Sequence, residues 1–126
     1  MATILIVDDE QPLRELLATV LRHAGHRTLQ ACHGAQALEL VAQGQPDLVI
    51  SDVMMPVLDG VELCRRLKGR AETRMVPIIL MSSAGAQAVD GSEADAFIAK
   101  PFLLEEMEAL VRRWLPPERQ DAVERP

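Results

Sequence analysis

Five residues of this sequence have the types that metal or phosphoryl chemistry needs, and each closes a short apolar run. Asp8 and Asp9 follow Ile4–Val7, Asp52 follows Leu48–Ser51, Ser82 follows Ile78–Met81, and Lys100 follows Ala96–Ala99. Three carboxylates brought together repel one another and call for protons or a cation. A hard divalent ion with oxygen ligands suits them, and Mg2+ would keep several waters where the protein offers so few ligands. Asp52 ends its run alone, which makes it the candidate nucleophile, since an aspartate can take a phosphoryl group as a mixed anhydride. A lysine to hold one phosphoryl oxygen and a hydroxyl to bond another would support in-line transfer. Lys100 supplies the first and Ser82 the second. Taken singly, a strand-end Asp is more often a cap or turn residue, and a lysine is more often a solvated charge. The joint pattern is what points to a site. Lys100-Pro101 is also a candidate cis peptide bond.

The elements that must position these residues alternate along the chain. Thr3–Val7 reads as a buried strand, and from Pro12 a helical period follows through Leu13, Leu16, Leu17, Val20 and Leu21, closing at Gly25. Arg27–Ala31 is a weaker strand. Ala35–Gln43 is a helix with Ala37, Leu38 and Val41 inward, stopped by Gly44 and Pro46. Asp47–Asp52 is a second strongly buried strand, followed by a turn-rich loop over Met54–Gly60 and a helix over Val61–Lys68 with Val61, Cys64 and Leu67 inward. Pro77–Met81 is a strand, and Ala84–Asp95 is the weakest helix candidate, interrupted by Gly91. Ala96–Ala99 is a short strand. Phe102–Leu115 is an amphipathic helix with Leu104, Met107, Leu110, Val111 and Trp114 on one stripe. Five strands alternating with five helices imply an α/β fold, a parallel sheet covered on both faces. Ligands of such sheets bind beyond the carboxyl ends of the strands, where all five chemical residues fall.

The 126 residues, 48% hydrophobic and 25% charged, suit one globular domain over residues 1–115 with a polar tail over 116–126. The longest apolar runs are far short of a membrane span, and Asp8 and Asp9 come too early for a signal peptide. A net charge of −6 argues against direct nucleic-acid binding, and Phe97, Phe102 and Trp114 are too few to stack bases or a flavin. Cys32 and Cys64 form no disulfide framework and suit the cytoplasm.

The motifs Ile4-Leu-Ile-Val-Asp8-Asp9-Glu10, Leu48-Val-Ile-Ser-Asp52-Val-Met-Met-Pro56-Val-Leu-Asp59-Gly60, Pro77-Ile-Ile-Leu-Met-Ser82 and Lys100-Pro101-Phe102 resemble those of the receiver domain of bacterial two-component response regulators. The resemblance covers about residues 3 to 115. It implies a flavodoxin-like, doubly wound sheet of strand order 2-1-3-4-5. It also implies that Asp52 takes a phosphoryl group from a sensor histidine kinase or a histidine phosphotransfer protein. Asp8 and Asp9 would hold Mg2+ with Asp52 and the Met54 backbone carbonyl. Ser82 would be the switch hydroxyl, Lys100 the phosphate partner and Phe97 the switch aromatic. Phosphorylation would draw Ser82 toward the new charge and let Phe97 swing inward, turning a local charge event into a surface change. The expected protein is a stand-alone, monomeric regulator for partner binding or phosphorelay, not an enzyme beyond its own phosphorylation and slow self-dephosphorylation.

Two departures from the family pattern matter. The segment between Ser82 and Lys100 is shorter than usual by about four residues, roughly one helical turn, and Gly85 and Gly91 lie within it. The fourth helix is therefore expected to be short or irregular. Met54 and Ala84 stand two residues beyond the phosphoacceptor and the switch hydroxyl, where the family influences hydrolysis, and neither side chain can orient water. Rival readings are weaker. An aspartate-nucleophile phosphatase would carry a second Asp where Met54 stands, and a flavin protein would need phosphate-cradling turns after Val7. A receiver-like interaction module that works without phosphorylation shares the fold, but Asp8, Asp9, Asp52, Ser82 and Lys100 are all present. The basic run from Arg65 to Arg74 reads as a solvated face, and His23, His26 and His33 have no metal-ligand spacing.

Overall fold

A computed structural model describes residues 2–117. The strands β1 (Thr3–Val7), β2 (Arg27–Ala31), β3 (Leu48–Asp52), β4 (Ile78–Ser82) and β5 (Ala96–Ala99) form one parallel sheet in the order β2-β1-β3-β4-β5. Among the described residues four α-helices connect and cover them: α1 (Gln11–His23), α2 (Gly34–Gln43), α3 (Gly60–Lys68) and α4 (Leu104–Trp114). The two apolar faces of the central strands explain why the sheet is buried on both sides. Ile4, Ile6, Leu48, Ile50, Ile79 and Met81 pack against Leu17 and Leu21 of α1 and Met107 and Val111 of α4. Leu5, Val7, Val49, Ile78 and Leu80 face Ala37 and Val41 of α2 and Leu63, Cys64 and Leu67 of α3. Alternation along each strand divides the core into these two layers.

Local chemistry sets the helix starts. The Asp59 carboxylate accepts from the Glu62 N–H at 2.8 Å, and the His33 ring Nδ1 accepts from the Gln36 N–H at 3.1 Å. Glu106 reaches back to the Leu103 N–H at 2.8 Å. Because these caps precede the first apolar contacts, α2 and α3 begin one residue earlier than the periodicity predicts. The last helix is shorter than its stripe, Leu104–Trp114 instead of Phe102–Leu115.

The five-helix expectation needs correction. Between β4 and β5 the described chain forms only a 3₁₀ turn, Ala86–Val89. Gly85 and Gly91 adopt φ of +87° and +76°, left-handed conformations that interrupt any α-helix on either side of that turn. The connection is instead fastened to α3. Lys68 Nζ donates to Asp95 Oδ2 at 2.8 Å and to the Val76 carbonyl at 3.0 Å, while the Ile78 N–H donates to the same Asp95 oxygen at 2.8 Å. A second correction concerns Leu16, expected inward but 46% exposed. It lines an apolar groove of about 330 Å³ with Leu13, Pro101, Phe102 and Leu104, beside Ser83 and Lys100. Val61 and Leu38 are only partly buried, and Leu63 takes the inward place on α3. The tail from Glu118 onward lies outside the described residues.

Candidate functional site

Parallel register carries four strand ends to one edge of the sheet. Val7 pairs with Ser51, Asp52 with Met81, and Ser82 with Ala99. The residues next in line, Asp8, Asp52, Ser82 and Lys100, therefore converge as the sequence predicts. Lys100 Nζ lies 3.0 Å from Asp8 Oδ2 and 3.2 Å from Asp52 Oδ1. Carboxylate oxygens of Asp8, Asp9 and Asp52 lie within 4.8 Å of one another. Asp8 is fully buried and Asp52 is 5% exposed, whereas Asp9 faces solvent. Lys100 is followed by a cis bond to Pro101.

Burial governs the electrostatics. Desolvation pushes the Asp8 carboxyl above its ordinary range, against the opposing pull of the Glu10 N–H and of Lys100. Asp52 is likewise raised, first by burial and then by the charge of Asp8, with Lys100 opposing. Burial alone would lower Lys100, but its hydrogen bonds to and attraction by Asp8 and Asp52 carry it above its ordinary value. The cluster thus has more negative charge than one lysine compensates. Clustered hard oxygens with an excess of charge fit a divalent ion such as Mg2+.

The backbone around Asp52 is tightly constrained. The Gly60 N–H donates to the Val53 carbonyl at 2.9 Å. A Cβ at Gly60 would lie 2.2 Å from the Asp52 carbonyl oxygen, so α3 can start against the end of β3 only with glycine there. In the loop between them Val57 has φ of +69° and is 98% exposed, an uncommon conformation for a β-branched residue. Met54 is exposed beside it.

Ser82 is buried, and its hydroxyl oxygen accepts from the Ala84 N–H at 3.0 Å. Its carbonyl accepts from the Lys100 N–H at 2.9 Å, which ties the two strand ends together. Phe97 pairs with Leu80 and Ala99 with Ser82, so by strand alternation Phe97 projects on the same face of the sheet as Ser82. Phe97 is half-buried.

Two neighbours escape motif reading. Glu10 adds a third carboxylate to Lys100, at 3.2 Å, and its N–H donates to Asp8 Oδ1 at 2.9 Å. The Asp8-Asp9-Glu10 run was the only signal for it. Arg14 donates to the Asp8 carbonyl at 2.7 Å and to Gln30 Oε1 at 3.1 Å, bracing the end of β1 against β2. Nothing in its sequence context distinguishes Arg14 from a solvated helix residue.

Comparison with known proteins gives a consistent result. Residues 4–112 match the response regulator receiver domain family. The phosphate regulon transcriptional regulatory protein PhoB of Pseudomonas aeruginosa is 39% identical over 130 residues, an alignment covering 97% of this chain and 57% of PhoB. The chain thus spans about half the length of that relative. Among solved structures, the receiver domain of a signal transduction histidine kinase from Syntrophus aciditrophicus superposes with a TM-score of 0.86 at 34% identity, covering 100% of this chain and 95% of the other. The response regulator TrrA of Thermotoga maritima, solved with Mg2+ and BeF, gives a TM-score of 0.83 at 33% identity, covering 91% and 100%.

Proposed function

Because this chain belongs to the response regulator receiver domain family, we propose that it accepts a phosphoryl group on Asp52 from a phosphohistidine donor and changes its surface in response. The observation that carries the reading is the placement of Lys100 Nζ between Asp8 and Asp52, with Asp9 completing a carboxylate cluster. An Asp52 carboxylate oxygen attacks phosphorus, the P–N bond of the donor breaks, and its electron pair returns to the imidazole nitrogen. Lys100 holds one phosphoryl oxygen, and the Ser82 hydroxyl exchanges its contact with Ala84 for another. Asp8, Asp9 and Asp52, with the Met54 carbonyl, would hold Mg2+, which would supply charge neutralisation. The groove beside Lys100, lined by Leu13, Leu16 and Phe102, offers apolar surface to the donor, a histidine kinase or histidine phosphotransfer protein.

Phe97, on the same face as Ser82, then packs inward as the hydroxyl moves. The chain turns over no substrate other than its own phosphoryl group, which it loses slowly because Met54 and Ala84 cannot orient water. Its setting is the cytoplasm, and its output is a change in partner affinity. Among the described residues no helix is long and apolar enough to cross a membrane.

Intact mass after incubation with acetyl phosphate, with and without Mg2+, tests the proposal. One added phosphoryl group that requires Mg2+ and disappears in Asp52→Asn is the expected result. A folded protein that gains nothing from acetyl phosphate or from any phosphohistidine donor would overturn it and leave an interaction module working without phosphorylation.

A further inference from the structure

Asp9 stands where its own side chain does not secure it. Its carboxylate lies within 4.8 Å of those of Asp8 and Asp52, yet it faces solvent. Among the described residues that carboxylate accepts no hydrogen bond and forms no ion pair. Repulsion from two neighbouring carboxylates favours turning it outward. The backbone must therefore keep it in the cluster.

Both peptide groups that flank Asp9 are held. On one side the Glu10 N–H donates to Asp8 Oδ1 at 2.9 Å. On the other the Asp8 carbonyl accepts from Arg14 Nη1 at 2.7 Å. A peptide group is planar, so a held carbonyl also fixes the Asp9 N–H and the direction in which Asp9 leaves β1. The guanidinium is itself oriented, because Arg14 Nε donates to Gln30 Oε1 on β2 at 3.1 Å. The Arg14 backbone N–H donates to the Glu10 carbonyl at 3.1 Å, the first bond of α1. One residue thus bonds the carbonyls that precede and follow Asp9.

We infer that Arg14 is a positioning residue for the divalent cation: it aims Asp9 at the site by holding the Asp8–Asp9 peptide, with Gln30 fixing the guanidinium. The inference rests on the Mg2+ site proposed above. Its expected effect is opposite in sign to that of charge alone. Removing a positive charge near an acidic cluster strengthens the attraction for a cation, whereas releasing the peptide weakens its binding.

Mn2+ binding, read from the paramagnetic resonance of the free ion, and its displacement by Mg2+ give affinities without any phosphoryl donor. Arg14→Met keeps the backbone bond to Glu10 and should bind both ions about tenfold more weakly, the lower end of what loss of an outer-shell partner costs. Arg14→Lys keeps the charge but has no fork to reach Gln30 and the carbonyl together, so it should weaken binding as well. Gln30→Met, with the arginine intact, should lose roughly two- to fivefold. Arg22→Met is the control. Arg22 also bridges α1 to β2, through Thr28 Oγ1 at 3.3 Å, but about two turns further along the helix, and its loss should leave the affinities unchanged. Thermal melting without metal shows which variants are folded. The Asp9 and Glu10 amide signals should move in Arg14→Met and stay in place in Arg22→Met. Binding by either Arg14 variant as tight as that of the unaltered chain, or tighter, would overturn the inference. Equal weakening in Arg22→Met would do the same, since it would mean a general loosening of α1. If the Arg14 variants do not fold, Gln30→Met decides, and unchanged affinity there overturns the inference. An unaltered chain that binds neither ion would remove the Mg2+ site itself, and this inference with it.

Discussion

Gly60 offers the sharpest mutational test of how the fold holds its site. In Gly60→Ala the new Cβ would sit 2.2 Å from the Asp52 carbonyl oxygen and 3.0 Å from the Val53 Cα. Ordinary contact begins near 3.4 Å, so the two segments must separate by roughly 1 Å. Neither contact is with a flexible side chain, and the strand end that must yield belongs to fully buried β3. Overpacking of this kind costs about 1–3 kcal/mol, and the rigid neighbours place this case near 3. The better helix propensity of alanine returns less than about 1 kcal/mol at a helix start. A net loss of about 2 kcal/mol corresponds to a Tm lower by roughly 8 °C for a domain of this size. The displacement also moves Asp52 relative to Lys100, and a misplacement of about 1 Å can cost on the order of a hundredfold in rate. Urea unfolding and acetyl phosphate labelling measure the two effects. Gly44→Ala is the control, because nothing lies within 4 Å of a Cβ there, and it should stay within about 0.5 kcal/mol. A Gly60→Ala protein as stable as that control, with unaltered labelling, would refute the reasoning.

Other perturbations follow from the same geometry. Asp52 has a raised carboxyl pKa, so the folded state binds its proton more tightly than the unfolded state, and its contribution to stability falls as pH rises through the folded value. Asp52→Asn should therefore melt at higher temperature than the unaltered chain at neutral pH, with the gain vanishing below the ordinary carboxylate range. Melting curves from pH 3 to 8 would expose the opposite trend. Lys68→Met removes the half-buried partner of Asp95 and two carbonyl contacts, and should cost about 1–2 kcal/mol, read by urea unfolding; a change below about 0.5 kcal/mol would mean that the clasp contributes little. Met54→Asn combined with Ala84→Glu should speed loss of the phosphoryl group, followed as decay of the labelled mass, and an unchanged rate would count against the apolar pair as the cause of slow hydrolysis. Amide exchange should be fast over residues 85–93, where one 3₁₀ turn is the only regular structure; protection equal to that of β4 would contradict this.

Much of the molecule can be read from sequence because burial on both sheet faces leaves an unambiguous record. Ile4–Val7, Leu48–Ile50 and Ile78–Met81 are continuous apolar runs, and the polar residues that follow each, directly or after Ser51, must lie at a strand end. Asp8, Asp52 and Ser82 are legible for that reason. Lys100 is legible only jointly with them, since a lone lysine carries no such signal. The β4–β5 connection is harder, because its backbone is set by two glycines of positive φ and by Asp95 reaching Lys68 across the sequence, and neither leaves a periodic trace. Leu16 fits the helical stripe of α1 yet lines a surface groove, since periodicity records the side of a helix and not what stands opposite it. Glu10 and Arg14 act through contacts that depend on chain segments brought together by folding. The Lys100–Glu10 pair spans nearly the whole described chain.

The sheet ends on one side at β5, with only a 3₁₀ turn in the preceding connection. An unpaired strand edge presents backbone donors and acceptors that a second chain could extend into a longer sheet. Here that template is four residues long, Ala96–Ala99. It is bounded by Asp95, whose carboxylate is turned back to Lys68 and the Ile78 N–H, and by Lys100, whose ammonium is drawn into the acidic cleft. Pro101 follows with no N–H to offer a ladder. Lys100 of the site and Asp95 of the clasp to α3 thus also cut short the edge along which copies of this chain could associate into larger sheets.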